Sequence, residues 1–306
     1  MDGNCMNHYH TYRSYLKERF GKPVLKIPVN GGFSCPNRDG TKSSTGCLFC
    51  DNRSFSPVAD RSAEPPLQQL RLVASRPGAA GKLLLPYLQP FSNTYGSAEE
   101  LRTIYEPLLE VPDVIGLAVG TRPDCFSEEI YRYLDDLARR TYLSIELGLQ
   151  SSHDTTLAQC NRGHTWDDFH TTVSRLSACG IETVAHVMLG LPGETTAMMY
   201  ETAIRLASLP VNGIKIHQLM IIGETEFADW YADGRCSVFS LEAYAELLCG
   251  FLERLRPDQH IHRIVADATE ENGLIAPLWS ADKTATLQRI RKYMDTHDIR
   301  QGKLHL

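Results

Sequence analysis

Residues 24–50, VLKIPVNGGFSCPNRDGTKSSTGCLFC, join an apolar, strand-like run to a loop that holds Cys35, Cys47 and Cys50. The loop is rich in Gly, Ser, Thr and Asn, residue types that let a chain turn back on itself. Three sulfurs spaced C-x11-C-x2-C can therefore face one centre. Three thiolates are one short of the four that close a structural zinc site or an ordinary iron–sulfur site. An open coordination position is where a reacting molecule can bind, so the placement of this loop directly after a strand governs the rest of the reading.

VLKIPV (24–29) is the first of a series. LLLPYL (83–88), VIGLAVG (114–120), YLSIELGL (142–149), ETVAHVML (182–189) and GIKIHQLM (213–220) are also near-continuous apolar runs. Such runs suit parallel strands covered on both faces. Helical patterns over 97–109, 127–140, 194–208 and 240–255 lie between or after them. Thr165 and Asp168 read as a capping box, with Trp166, Phe169, Val173 and Leu176 following at helical spacing. Six strand–helix units predict an α/β fold, a partial (β/α)6 TIM-like barrel. Residues 1–22 read as an N-terminal extension, 23–256 as the core barrel, and 257–306 as a C-terminal extension packed on the core. That last segment contains a candidate added strand, IHRIVA (261–266), and a helix around 281–296. In βα barrels the loops after the strands build the active site at the C-terminal mouth. The cysteine loop then meets QPFSNTYG (89–96), GTRPD (120–124), ELGLQSS (146–152) and GLPGET (190–195), an arrangement that suits an enzyme better than a structural zinc module.

The 306 residues, 42% of them hydrophobic, suffice for one large core. No run of eighteen apolar residues is present, so no membrane contact is expected, and no secretory h-region is visible at the start. A cytoplasmic location with reduced thiols follows, in which nine cysteines favour metal ligation over a disulfide framework. Cys5, Cys125, Cys160, Cys179, Cys236 and Cys249 are scattered. Cys179 and Cys249, in helix-like stretches, are expected to be small buried hydrophobes. Net charge is −6, which argues against a broadly basic nucleic-acid binder. Residues 1–50 and 283–306 nonetheless each carry +4, leaving −14 between them. The basic ends form one local patch only if the termini meet.

The three-cysteine loop on a six-unit partial barrel resembles the radical S-adenosylmethionine (radical SAM) superfamily. The long first gap departs from the commonest C-x3-C-x2-C spacing. It resembles the radical domain of the Elongator catalytic subunit and, more closely, the bacterial YhcC/YtqA-like family. Seven stretches carry that likeness in order: KPVLKIPVNGGFSCPNRDG (22–40), QPFSNTY (89–95), GTRPDC (120–125), ELGLQSS with NRGHT (146–152, 161–165), HVMLGLPGET (186–195), GIKIHQL (213–219), and APLWSADK with QGK (276–283, 301–303).

The resemblance implies that Cys35, Cys47 and Cys50 each hold one iron of a 4Fe–4S cluster. Its fourth iron would be chelated by S-adenosyl-L-methionine, which would yield a 5′-deoxyadenosyl radical after one-electron reduction by a partner such as flavodoxin or ferredoxin. It places Phe49 and Leu191 near the adenine, Ser92 and Asn93 at the methionine amino group, and Glu146 and Gln150 at the ribose or amino group. Arg162 and Lys26 become candidates for the cofactor carboxylate. The alternative for Glu146 is a charge paired inside the barrel; for Arg162, a solvated loop residue. Gly31, Gly32 and Gly46 are candidates to bring backbone N–H groups to the sulfurs. His164, His186 and His217 lie nearest strand ends and read first as core residues. The Elongator likeness points to a tRNA substrate and the side chain on carbon five of its wobble uridine. Only about fifty residues follow the last barrel helix, too few for an acetyltransferase domain of the Elongator kind. Two rivals stay open: a radical enzyme acting on a small metabolite, and a zinc-binding RNA-interaction module without catalysis.

Overall fold

Seven parallel strands form one sheet in the computed structural model, which describes residues 8–266 and 268–305. Residues 1–7, including Cys5 and the start of the expected N-terminal extension, lie outside the described residues. The strands are β1 (Val24–Val29), β2 (Leu83–Leu88), β3 (Gly116–Thr121), β4 (Tyr142–Gln150), β5 (Glu182–Leu189), β6 (Gly213–Gln218) and, after the short β7 (Ile221–Ile222), β8 (His260–Arg263). They pair in chain order, with β8 beside β6. β7 pairs antiparallel with β9 (Leu274–Ala276) in a separate two-stranded sheet. The expected six-unit barrel is thus a curled partial barrel with a seventh strand, supplied by the 261–266 run.

Helices return the chain between strands. α1 (Tyr12–Phe20) precedes β1; α2 (Asn52–Phe55) and α3 (Pro66–Ala74) follow the cysteine loop. α4 (Ala98–Leu109), α5 (Glu128–Ala138), α6 (Asp154–Gln159), α7 (Trp166–Ala178) and α8 (Thr196–Ala207) serve the middle strands. α9 (Glu226–Ala232), α10 (Leu241–Arg254) and α11 (Lys283–Thr296) complete the set. Their starts are set locally. Ser97, Ser127, Thr165, Thr195, Ser240 and Asp282 each accept a backbone N–H at the N-cap, and Ser97 and Thr165 do so in full capping boxes.

The period-2 geometry of a strand divides β4 between two environments. Leu143, Ile145, Leu147 and Leu149 join the apolar core with Leu134, Phe169 and Val173 of the covering helices. Each such side chain contributes roughly 1.5–3 kcal/mol when fully buried. Glu146, Gly148 and Gln150, on the other face, line the interior cavity. The sheet does not close on itself; α1 packs against both edge strands, β1 and β8.

The two ends of the described chain meet: Gln301 accepts the His10 N–H at 2.9 Å and donates its own backbone N–H to the His8 carbonyl at 2.9 Å. The basic C-terminal segment is dotted with carboxylates, however. Arg289 lies 3.5 Å from Glu242, and Arg300 3.1 Å from Asp298. Cys249 is buried within α10 as expected, but Cys179 is not a buried helical residue. It is half-buried and caps the C-terminus of α7, where the chain leaves the core. Among the described residues no helix is long and apolar enough to cross a membrane.

Candidate active site

Cys35, Cys47 and Cys50 line one open cavity at the ends of the parallel strands. The loop that carries them is pinned at several points. The Cys35 carbonyl accepts N–H groups of Arg38 and Asp39 at 2.8 and 3.1 Å, and Cys50 N–H closes on the Cys47 carbonyl at 2.9 Å. Further anchors come from residues 160 and 161, just after α6. Asn161 Nδ2 donates to the Gly46 carbonyl at 2.7 Å, and Leu48 N–H reaches the Cys160 carbonyl at 3.1 Å. Gly163 has φ of +69°, and a Cβ there would sit 2.7 Å from Asn37 Oδ1, so this close approach requires glycine.

Two side chains donate to the Cys47 sulfur: Asn37 Nδ2 at 3.5 Å and Arg162 Nη1 at 3.3 Å. Both donors are side chains, whereas the Gly32 N–H, expected at a sulfur, goes to Asn30 Oδ1 at 2.9 Å. Arg162 is buried, not solvated, and its other nitrogens are also engaged. Nη2 donates to the Gly148 carbonyl at 2.6 Å and Nε to His164 Nε2 at 3.0 Å. Arg162 is therefore directed at the Cys47 sulfur, with each of its three nitrogens engaged. His164 must be neutral to accept from it, and burial, with Arg162 and Arg122 beside it, holds its pKa down to about 3.

Glu146 forms the floor of the cavity. It stands in the middle of β4, not at its end, and is 0% exposed. Its Oε1 meets Lys26; its Oε2 meets His186 at 2.7 Å and Lys215 at 3.1 Å. Burial alone would raise this carboxyl, but Lys215 and Lys26 hold it well below the usual carboxylate range. His262 approaches Oε1 at 3.6 Å and stacks on Tyr12 at 3.6 Å between ring centres. Glu146 and Lys26 are thus a pair inside the barrel, the alternative reading of Glu146, and of the two only Glu146 lines the cavity.

Other expected residues separate in the same way. Phe49, Ser92 and Gln150 line the cavity. Asn93 does not; its Nδ2 ties together the Leu88, Pro90 and Gly120 carbonyls at 2.8–3.1 Å and so fixes the ends of β2 and β3. Leu191 packs behind the loop with Leu48, Cys160 and Met188. Arg122 was not singled out in sequence, although GTRPD was. It is 2% exposed, donates twice to Asp124 at 2.9 and 2.8 Å, and keeps Nη1 buried without a partner in the cavity wall. Its signal was the carboxylate two residues on, which holds a buried guanidinium in place.

These features fit the cofactors that the cysteine loop implies. Among the described residues no group of three or more Cys, His, Asp or Glu side chains is gathered as one metal ion would need. A 4Fe–4S cluster takes one thiolate per iron and so accepts ligands that share a wall without meeting at a point. Burial, with Cys47 adjacent, pushes the Cys50 thiol up to about 12, a proton that a bound cationic metal displaces. Arg122 Nη1, Ser92 Oγ and Gln150 Oε1 are buried atoms without partners on the same cavity wall. A donor, a hydroxyl and an acceptor match the carboxylate and ammonium of an amino-acid moiety. Phe49, Met188, Met220 and Ile222 provide an apolar wall for a base.

Comparison with known proteins agrees with this geometry. Residues 35–206 match the model of the Radical SAM superfamily, and residues 211–296 match that of the Radical SAM C-terminal domain. The protein YtqA of Bacillus subtilis (strain 168) is 37% identical over 302 residues, 98% of this chain and 94% of the relative. A tRNA uridine(34) acetyltransferase of Methanocaldococcus jannaschii is 25% identical over 194 residues, 61% of this chain and 34% of that one. In fold, the chain superposes on the archaeal Methanocaldococcus infernus Elp3 with a TM-score of 0.68 at 18% identity, over 91% of this chain and 64% of that one.

Proposed function

The chain belongs to the radical SAM superfamily, and on that premise we propose that it modifies the side chain at carbon five of a tRNA wobble uridine. Membership makes it a radical SAM enzyme with a 4Fe–4S cluster and S-adenosyl-L-methionine as cofactors, dependent on an external reductant. When bound, these cofactors supply a carbon radical that removes hydrogen from an unactivated position; the protein supplies orientation and dryness. Cys35, Cys47 and Cys50 would hold the cluster, with Arg162 and Asn37 directed at the Cys47 sulfur. Arg122, Ser92 and Gln150 would hold the amino-acid end of the cofactor, and Phe49 its base.

The observation that carries the substrate reading is the sequence likeness, over 61% of this chain, to a protein named for uridine 34 of tRNA. The site is compatible with it, since an open cavity admits a base taken out of its stack. Arg291 and Lys292 on α11 are exposed and have no carboxylate bridge among the described residues, which leaves them able to meet RNA phosphates. The test is mass spectrometry of tRNA nucleosides from a strain lacking the gene. A changed substituent on the wobble uridine is expected. Unaltered tRNA would overturn the proposal and leave a small metabolite as the substrate class.

A further inference from the structure

One carboxylate on the cavity floor serves two ammonium groups. Lys26 on β1 and Lys215 on β6 both hydrogen-bond Glu146, one at each oxygen, and Arg263 of β8 also lines the cavity. His186 of β5 shares Oε2 with Lys215, and His217 stands two residues along β6. Of the two lysines, only Lys215 is part of the cavity wall; its Nζ also donates to Tyr87 Oη at 3.1 Å. Two ammonium groups cannot both be fully compensated by one carboxylate in a buried site, so one of them gives up its proton readily. Lys215 is placed to give it to whatever fills the cavity.

We propose that Lys215 is an acid–base group of the reaction cavity, exchanging a proton between its Nζ and an O–H or N–H group of the substrate. In the forward sense the substrate O–H or N–H bond breaks and a bond from that proton to the Nζ lone pair forms. The bonding pair stays on the substrate, and no electron changes hands. The reverse returns the proton, with Glu146 and Tyr87 holding the ammonium in the interim. Burial, opposed by Glu146 and reinforced by Lys26 and Arg263, brings the Lys215 pKa down to about 7, where both forms are present at neutrality. Burial likewise lowers His186 to about 4 and His217 well below its ordinary value, so both imidazoles stay neutral while Lys215 titrates. Tyr87 is held well above the ordinary phenol range by burial and by Glu146, and stays a phenol throughout. This assignment does not depend on the substrate being tRNA.

Competitive labelling tests it without turnover. Cluster-reconstituted holoprotein is treated anaerobically with trace acetic anhydride across a range of pH, and the Lys215 peptide is quantified by mass spectrometry. Half-maximal labelling is expected at about pH 7, roughly three units below an ordinary lysine. Glu146→Gln removes the carboxylate that favours the ammonium and should lower the midpoint further. Tyr87→Phe, which removes only a hydroxyl, should lower it less and serves if Glu146→Gln does not fold. A wild-type midpoint above about 9, or a Lys215 that labels at no pH, overturns the proposal, as does a midpoint that rises in Tyr87→Phe.

Discussion

Gly148→Ala is the most discriminating single change at the cluster site, because it displaces a side chain without deleting one. Gly148 is not in the left-handed region, so its backbone accepts alanine. The added Cβ would lie 2.5 Å from Arg162 Nη2, where ordinary contact begins near 3.4 Å. The guanidinium must retreat by about 0.9 Å. The 2.6 Å bond from Nη2 to the Gly148 carbonyl then approaches 3.5 Å, beyond useful hydrogen-bond range, and Nη1 moves relative to the Cys47 sulfur. A hydrogen bond to a charged group contributes about 1.5–3 kcal/mol. The reduced freedom of the unfolded chain on Gly→Ala returns about 0.4–1 kcal/mol. The net cost is about 0.5–2.6 kcal/mol, a fall of roughly 1–4 °C in thermal midpoint at about 2.1 cal/mol/K of unfolding entropy per residue. Iron content should fall with it. The assay is a double-mutant cycle on anaerobic holoprotein: in an Arg162→Met background, Gly148→Ala should be close to neutral. Equal cost in both backgrounds, or an unchanged midpoint in the single mutant, would refute the claim that Gly148 is there to admit Arg162.

Three further outcomes are expected. Replacing Cys35, Cys47 or Cys50 by Ala should abolish the cluster absorbance of protein that otherwise takes up about four irons and four sulfides, whereas Cys179→Ala at the end of α7 should retain it; stoichiometric zinc with no iron uptake in anaerobic preparations counts against the site. Burial holds His164 and His262 down to about 3 and His186 to about 4, against about 6.5 in an unfolded chain. Folded values lie below unfolded ones, so the unfolded state binds more protons below about pH 6.5, and stability should fall by about 1.4 kcal/mol per pH unit per histidine until the folded values are reached. A urea midpoint that stays level from pH 7 to pH 5 would contradict this. Reversing Arg291 and Lys292 to Glu should weaken tRNA binding and reduce the log–log salt slope by roughly 0.7–0.9 per lost contact, while 5′-deoxyadenosine formation without RNA is unchanged; unaltered binding would remove α11 from the RNA surface.

The parts of the fold and site that were legible in sequence are those set by neighbours along the chain. Near-continuous apolar runs mark parallel strands because both faces are covered, and the capping pair Thr165 and Asp168 marks a helix start because both bonds are local. The three cysteines stand out because their loop carries little apolar content of its own. What stayed hidden is set by register between distant strands. Lys26, Glu146, His186 and Lys215 come from four strands, and nothing within any one of those strands says which will meet. The usable signal was parity: a charge inside an otherwise apolar strand must be paired, because burying it alone is too costly. Lys215, inside GIKIHQ, and Glu146, inside YLSIELGLQ, are such charges. Parity also could not separate Arg122 from Arg162. Arg122 directly follows β3 and Arg162 follows α6, and what separates them is that Asp124 leaves one nitrogen of Arg122 unused while Gly148, His164 and Cys47 occupy Arg162. The same logic changes the standing of the C-terminal segment. β8 adds His262 beside Glu146 and Arg263 to the cavity wall, so residues after 257 help build the floor on which Lys215 acts.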